Sequence, residues 1–437
     1  MNMNDMVVVS VDDHVSEPPG MFDKHLSGDA LATAPKMRRA ASGADYWEYQ
    51  GLKMPQVGLN AVVGRVPEEY GMEPTALSQI RKGVYDVHAR IDDMNVNGVA
   101  ASLNFASCVG FDGGVFHRVP DKDQALVHLR AYNDWHIDEW CAAYPGRFIP
   151  CALLPTWDQK AMAEEVARVA RKGCTAVSIN ENPTVQQLPS IHNAYWEPLW
   201  KAVVDHDVAI CLHIGAGNPA PHASMETPIE AWISTMPMSI AVGAADWLQL
   251  QALEHYPSMK IALSEGGIGW IPYFLERSNF SHERHKAWTH SRFKGTRPSE
   301  VFRKHFLTCF IDDAFGLQNL AAIGEDMVAY ECDYPHSDSL WPNVPETLWE
   351  SVKHLTETQI SKVTHLNAMR FFRFDPFAHY KPQELSVGTL RANAAAAKVD
   401  VTPKSFGGSA PLEKGVTPRP ITSGDVVEMY NKHRKIA

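Results

Sequence analysis

Eight short apolar runs, mostly separated by amphipathic stretches, constrain this chain more than any other feature. Val7–Val11, Val99–Phe105, Phe148–Leu154, Ala176–Ile179, Val208–His213, Lys260–Ser264, Phe306–Phe310 and Met327–Glu331 each have the length and apolar content of a buried strand. Between them, Asp123–Tyr144, Trp157–Lys172, Tyr195–Asp205 and Ala241–His255 carry helical periodicity. Strands that alternate with helices pair in parallel and are covered on both faces. Eight of them predict an α/β fold, a distorted (β/α)8 TIM-like barrel. An open doubly wound sheet is the alternative, but no glycine fingerprint follows the first run.

The barrel pattern spans residues 1–380, with two segments outside it. Residues 20–85 are irregular and rich in Gly, Pro and charge, and are expected to form a long insertion over the catalytic face. Residues 381–437 contain Ala394–Ala397, Gly407-Gly408 and several Pro, with few large apolar residues. This segment reads as an extended C-terminal arm ending in a short helix near Ser423–His433, against the alternative of a disordered tail.

Composition narrows the function. A net charge of -11 argues against nonspecific nucleic-acid binding. The start is polar and lacks a basic segment, so no signal peptide is expected. No apolar stretch approaches the roughly 18 residues needed to span a membrane. The seven cysteines are scattered, without a CxxC pair, and read as reduced core thiols of a cytoplasmic protein. The expected partner is a small-molecule substrate, with neither nucleic acid nor membrane.

In a barrel of this kind, reactive groups come from the C-terminal ends of the strands. Asp12 and His14 close the first run, two residues apart, and a period of two lets them point the same way. His213 closes the fifth run and precedes Ile-Gly-Ala-Gly, where glycines admit a ligand or metal. Glu265 closes the sixth and precedes Gly266-Gly267. Asp333 follows the eighth and precedes Tyr334-Pro335-His336. Each has an ordinary structural reading, as a core histidine or a helix cap. Together they form a mixed nitrogen and oxygen donor set that suits zinc, manganese or iron. A metal there would acidify water or polarise a substrate oxygen, and a group outside the ligand set would act as general acid or base.

These residues carry a resemblance. Val11-Asp-Asp-His-Val-Ser-Glu-Pro-Pro, Tyr132-Asn-Asp-Trp, Tyr144-Pro-Gly-Arg-Phe, Leu212-His-Ile-Gly, Gly269-Trp-Ile-Pro-Tyr-Phe-Leu-Glu-Arg and Cys332-Asp-Tyr-Pro-His-Ser-Asp span most of residues 6–376. The chain resembles the amidohydrolase superfamily, in the amidohydrolase-related branch that holds the aminocarboxymuconate semialdehyde and aromatic-acid decarboxylases. The resemblance implies a divalent metal, most often zinc, held by Asp12, His14, His213 and Asp333. It implies that Asp333 also handles protons and that His336 either supports a ligand or meets the substrate. Trp270 and Tyr273 are read either as pocket-shaping residues or as core. Members usually carry a histidine where Glu265 stands, so Glu265 is either a proton-handling group or a further metal ligand. The expected activity is that of a metal-dependent hydrolase or nonoxidative decarboxylase of a small carboxylate. A subunit of a hetero-oligomeric oxygenase built on the same fold, or a noncatalytic metal-binding assembly subunit, are the alternatives. Assembly is expected, with copies of itself or with a homologous chain.

Overall fold

The computed structural model of the protein describes residues 1–407 and 418–436. Eight strand positions form its centre: β1 (Val9–His14), β2 (Ala101–Phe105), β3 in two pieces (Phe148–Ile149 and Cys151–Leu153), β4 (Ala176–Ser178), β5 (Ala209–His213), β6 (Ile261–Ser264), β7 (Phe306–Phe310) and β8 (Val328–Tyr330). All pairings among them are parallel. Pro150 interrupts β3. Its first piece pairs with β2 and its second with β4, which closes the ring. The expected (β/α)8 barrel is therefore present, at nearly the expected positions.

Side-chain alternation fills the barrel. Val9, Val11, Ala101, Leu103, Phe105, Ala209, Cys211, Ala262, Leu307, Cys309 and Ala329 pack in one interior cluster. Ala368 and Phe372, from the late helix Asn367–Phe372, join its lower end. The other faces of the strands pack against the surrounding helices in the main core. All seven cysteines are buried and free, as expected of core thiols. Among the described residues, no helix is long and apolar enough to cross a membrane.

Residues 20–85 are more ordered than their composition suggests. Lys36–Arg39, Asp45–Tyr49 and Leu52–Met54 form an antiparallel sheet. Its pattern is short-range, and buried Trp47 and Tyr49 anchor it. The Tyr49 hydroxyl lies 2.9 Å from His128 Nδ1 on the helix Lys122–Trp135. Farther along, the backbone N–H groups of Val62 and Val63 donate to Pro335 O at 3.0 and 3.1 Å, joining this segment to the loop after β8.

The described residues directly after 380 stay on the barrel. The helix Val387–Ala396 buries Val387, Leu390 and Ala394. Residues 404–407 run beside Gly64 and Glu69. Lys404 N donates to Gly64 O at 2.9 Å. The buried Glu69 carboxylate accepts from Phe406 N at 3.0 Å, Gly407 N at 3.1 Å and the Ser405 hydroxyl. Gly408, part of the expected Gly-Gly pair, lies outside the described residues. The last helix, Ser423–Ile436, begins where expected. It is tied to the loop after β5, with Ser423 N donating to Thr227 O at 2.9 Å.

Glu69→Ala removes the carboxylate that accepts three hydrogen bonds, each contributing about 1 kcal/mol. Trypsin cleavage after Lys404 should then accelerate by about tenfold or more under native conditions, while the melting temperature of the barrel changes little. Proteolysis followed by mass spectrometry reads this directly.

Candidate metal centre

The C-terminal ends of β1, β5, β6 and β8 bring the predicted residues to one place. Strict alternation from Val9 and Val11 would send Asp13 inward. The pairing of β1 with β2 shifts register between Ser10 and Asp13, which is the signature of a bulge. Asp12 and His14 face the barrel mouth as a result. On β5, regular alternation through Ala209 and Cys211 delivers His213 to the same place. Glu265 and Asp333 leave their strands in left-handed backbone conformations, with φ of 58° and 51°. Such a conformation costs a non-glycine residue of order 1 kcal/mol and needs support from its surroundings. The support is local: Glu265 N donates to Glu331 Oε2 at 3.0 Å, and Asp333 N donates to Asp12 O at 2.8 Å.

The resulting cluster is tight and almost entirely buried. His14 Nε2 lies 3.4 Å from Asp12 Oδ1 and 3.3 Å from Asp333 Oδ1. His213 Nε2 lies 3.3 Å from Asp12 Oδ2 and 3.3 Å from Glu265 Oε2. His336 Nδ1 is 2.8 Å from Asp333 Oδ1, and its ring centroid is 4.0 Å from that of His14. Asp12, His14, His213 and Asp333 are 0% exposed, whereas the Glu265 side chain retains 16%.

These short distances do not make a satisfied network. Both Asp12 oxygens, both His14 nitrogens, His213 Nε2, both Asp333 oxygens and His336 Nε2 are buried without a hydrogen-bond partner. Leaving such atoms unpaired costs about 1–3 kcal/mol each. His213 Nδ1, by contrast, donates to Ile214 O at 2.7 Å, which fixes the tautomer and leaves Nε2 free as a donor to a cation. Donor atoms of Asp12, His14 and His213, and of His14, Glu265, Asp333 and His336, lie close enough to share one ion. The residues thus fit a divalent metal by chemistry, spacing and unmet bonding capacity.

Electrostatics point the same way. Burial disfavours the Asp12 anion, but His213 and His14 outweigh it and hold this carboxyl well below the usual range. Burial would lower His213, yet the Asp12 charge raises it to about 9. Burial raises Asp333 to about 7, with His14 partly offsetting it. Burial, then the Asp333 and Asp12 charges, pushes Glu265 well above the carboxylate range. Burial and the His213 charge lower His336 to about 4. More carboxylates converge here than the imidazoles alone can neutralise, which an added cation would correct.

Two groups escaped the sequence reading. Glu331 is 1% exposed, and its Oε2 accepts from the Cys309 thiol as well as from Glu265 N. The signal was a single acid within the apolar run of β8, two residues before Asp333 and so on the same face. Phe111 is the other: its ring lies 4.1 Å from that of His213 and 4.9 Å from that of His14. An irregular loop places it, so periodicity gave no sign. Trp270 lines a cavity beside Glu265, as expected. Tyr273 does not shape a pocket: it is 73% exposed on the helix Ile271–Thr289. One turn separates positions 270 and 273 only roughly, and the helix turns Tyr273 outward.

Two cavities flank the cluster. One of about 660 Å³ is bounded by Phe111, Asp112, His117 and Arg118, with Gln56 and Leu59 from the insertion. The other, of about 470 Å³, reaches Glu265 and Glu331.

A family profile described as Amidohydrolase matches residues 92–374. A 2-amino-3-carboxymuconate-6-semialdehyde decarboxylase from Dictyostelium discoideum is 23% identical over 302 residues, covering 68% of this chain and 79% of that protein. Among solved structures, an amidohydrolase from Mycobacterium avium subsp. paratuberculosis superposes with a TM-score of 0.62 at 17% identity, over 84% of this chain and 99% of the other. A 5-carboxyvanillate decarboxylase from Novosphingobium aromaticivorans, complexed with manganese and 4-hydroxy-3-methoxy-5-nitrobenzoic acid, gives 0.58 at 19% identity, over 84% and 96%.

The loop that carries Phe111 depends on Glu17, whose buried carboxylate accepts from Ser107 N at 2.9 Å, Cys108 N at 2.8 Å and the Tyr132 hydroxyl at 3.1 Å. Glu17→Ala leaves those donors buried and unpaired. A loss of about 3 kcal/mol or more is expected, read as a lower denaturation midpoint in urea.

Proposed function

The chain belongs to the amidohydrolase family, and from that premise we propose that it is a metal-dependent enzyme acting on a small carboxylate, by nonoxidative decarboxylation. The same cluster would serve a hydrolase; the decarboxylases among its relatives favour loss of the carboxyl group. The observation that carries this reading is the set of buried, unpartnered donor atoms on Asp12, His14, His213 and Asp333, which fall in two overlapping donor groups that share His14. Those residues would hold one divalent ion. Zinc and manganese both suit such donors, and availability decides between them. When bound, the ion supplies a Lewis acid that polarises a substrate oxygen.

The remaining chemistry belongs to the side chains. Decarboxylation releases CO2 and leaves a carbon that must take up one proton. Glu265 is the member of the cluster with partial access to a cavity, so it is assigned the proton transfer. Asp333 combines ion binding with a contact to His336, and His336 meets the substrate. Phe111 covers both ligand imidazoles and keeps water from them.

Protein prepared without chelator should contain about one divalent ion per chain by mass spectrometry of the metals, in line with one donor set that leaves a position open for substrate. Asp333→Asn should lose most of that ion and all CO2 release from small aromatic carboxylates. Glu265→Gln should keep the ion and lower kcat by about 10²-fold or more. Chain-bound metal in Asp333→Asn with full turnover would overturn the reading.

A further inference from the structure

The helix Ile271–Thr289 divides its side chains between the molecule and solvent. On the inner face, Ile271 and Leu275 are buried, the Phe274 ring packs 5.7 Å from that of Phe302, and Asn279 donates to the Ser299 hydroxyl at 2.9 Å. On the opposite face, Tyr273, Phe280 and Ala287 recur every seven residues. Glu276 and Arg277, then Glu283 and Arg284, fill the same stripe, and all of these residues are exposed. Tyr273 is 73%, Phe280 57% and Trp288 71% exposed. Three large aromatic side chains left in water on one helix mark a surface built to be covered.

The charges of the stripe are unmatched within the helix. Neighbours on a helix surface are three or four residues apart. Glu276 has Pro272, Tyr273, Asn279 and Phe280 at those spacings, and Arg284 has Phe280, Ser281, Ala287 and Trp288. Among the described residues, neither makes a hydrogen bond or an ion pair. Arg277 has no acid at those spacings either, and its guanidinium lies over the Phe280 ring, 5.0 Å from the centroid. Glu283 meets Lys286 at 2.7 Å in an exposed pair, which contributes little and exchanges freely.

About Phe280 the stripe is symmetric in position and opposite in charge. Glu276 and Arg284 stand four residues to either side, Arg277 and Glu283 three, and Tyr273 and Ala287 seven. In a two-fold pair, residue i of one copy meets j of the other while j meets i. Two antiparallel copies crossing at Phe280 therefore set Glu276 against Arg284 and Arg277 against Glu283, each twice. The two Phe280 rings meet on the axis, and Tyr273 covers Ala287 beside Trp288. A parallel pair in register would set each charge against its like. The four charges cancel, so two chains that each carry -11 do not repel across this stripe. A partner of different sequence would need no such symmetry.

We propose that the chain forms a two-fold dimer through antiparallel pairing of the helix Ile271–Thr289, centred on Phe280. The apolar surface continues past the start of the helix, where exposed Ile233 and Met238 line the same cavity as Trp270. A specific dimer buries roughly 800 Å² per partner, and this continuation widens the stripe toward that area.

Sedimentation velocity on the full chain tests the pairing, over roughly 1 to 100 μM, a range that brackets modest specific affinities. The expected species has twice the mass of the chain. Phe280→Asp should raise the dissociation constant by about 100-fold or more. Glu276→Arg alone and Arg284→Glu alone should each raise it by about tenfold, because like charges then face each other twice. An equimolar mixture of these two variants should recover the native affinity, since every base of one then faces an acid of the other. All three positions are exposed, so the variants keep the fold. A chain that stays monomeric throughout overturns the proposal and leaves the stripe to a different partner. So does a dimer or larger assembly whose dissociation Phe280→Asp leaves unchanged. Charge variants that weaken association without recovering on mixing would overturn the antiparallel pairing.

Discussion

The structure turns on a conflict of charge. Asp12, Glu265, Glu331 and Asp333 converge at the mouth of one barrel, all nearly or fully removed from water. Neutral imidazoles cannot balance them, and burial makes every uncompensated charge expensive. Asp12 draws its compensation from His213 and His14, while Glu265 and Glu331 are driven toward their neutral forms. A cation at the shared point would resolve the conflict and satisfy the orphaned atoms together.

The scaffold supports this arrangement at identifiable places. The register shift in β1 turns Asp12 and His14 inward. Left-handed turns at Glu265 and Asp333 aim two more carboxylates at the same point. Behind them, the Arg90 guanidinium, 0% exposed, donates to Gly83 O at 2.6 Å and to His14 O. Asp93 accepts from the Tyr334 hydroxyl at 2.5 Å and from Arg81. The loop after β8 is thereby fixed to the end of the insertion. Strain at the site is offset by packing around it, which is the usual division of labour in an active centre.

Much of this was legible in the sequence, for physical reasons. Buried parallel strands read as apolar runs, so the eight barrel positions stood out. A polar residue that ends such a run must be satisfied somehow, which exposed His213, Glu265 and Asp333. What periodicity could not give was direction. The Asp12 and His14 pair was found by its spacing, but the bulge that turns it inward left no mark in the residue pattern. Glu331 was hidden because it fell inside an apolar run and looked like the end of a strand. Tyr273 was misplaced because a family motif fixes neighbours in sequence, not the face of a helix. The insertion was underrated because loops rich in Gly and Pro can still carry a small sheet when residues such as Trp47 and Tyr49 anchor it.

The central claim is that the buried cluster is built around a divalent cation. Thermal unfolding before and after extraction with a chelator, and again after adding manganese or zinc, tests it most directly. A site filled at a thousand times its Kd stabilises the fold by about 4 kcal/mol. The account predicts a fall of several degrees on extraction, recovery on re-addition, and little response in Asp12→Asn. An extracted protein that melts unchanged, and gains nothing from added metal, would contradict it.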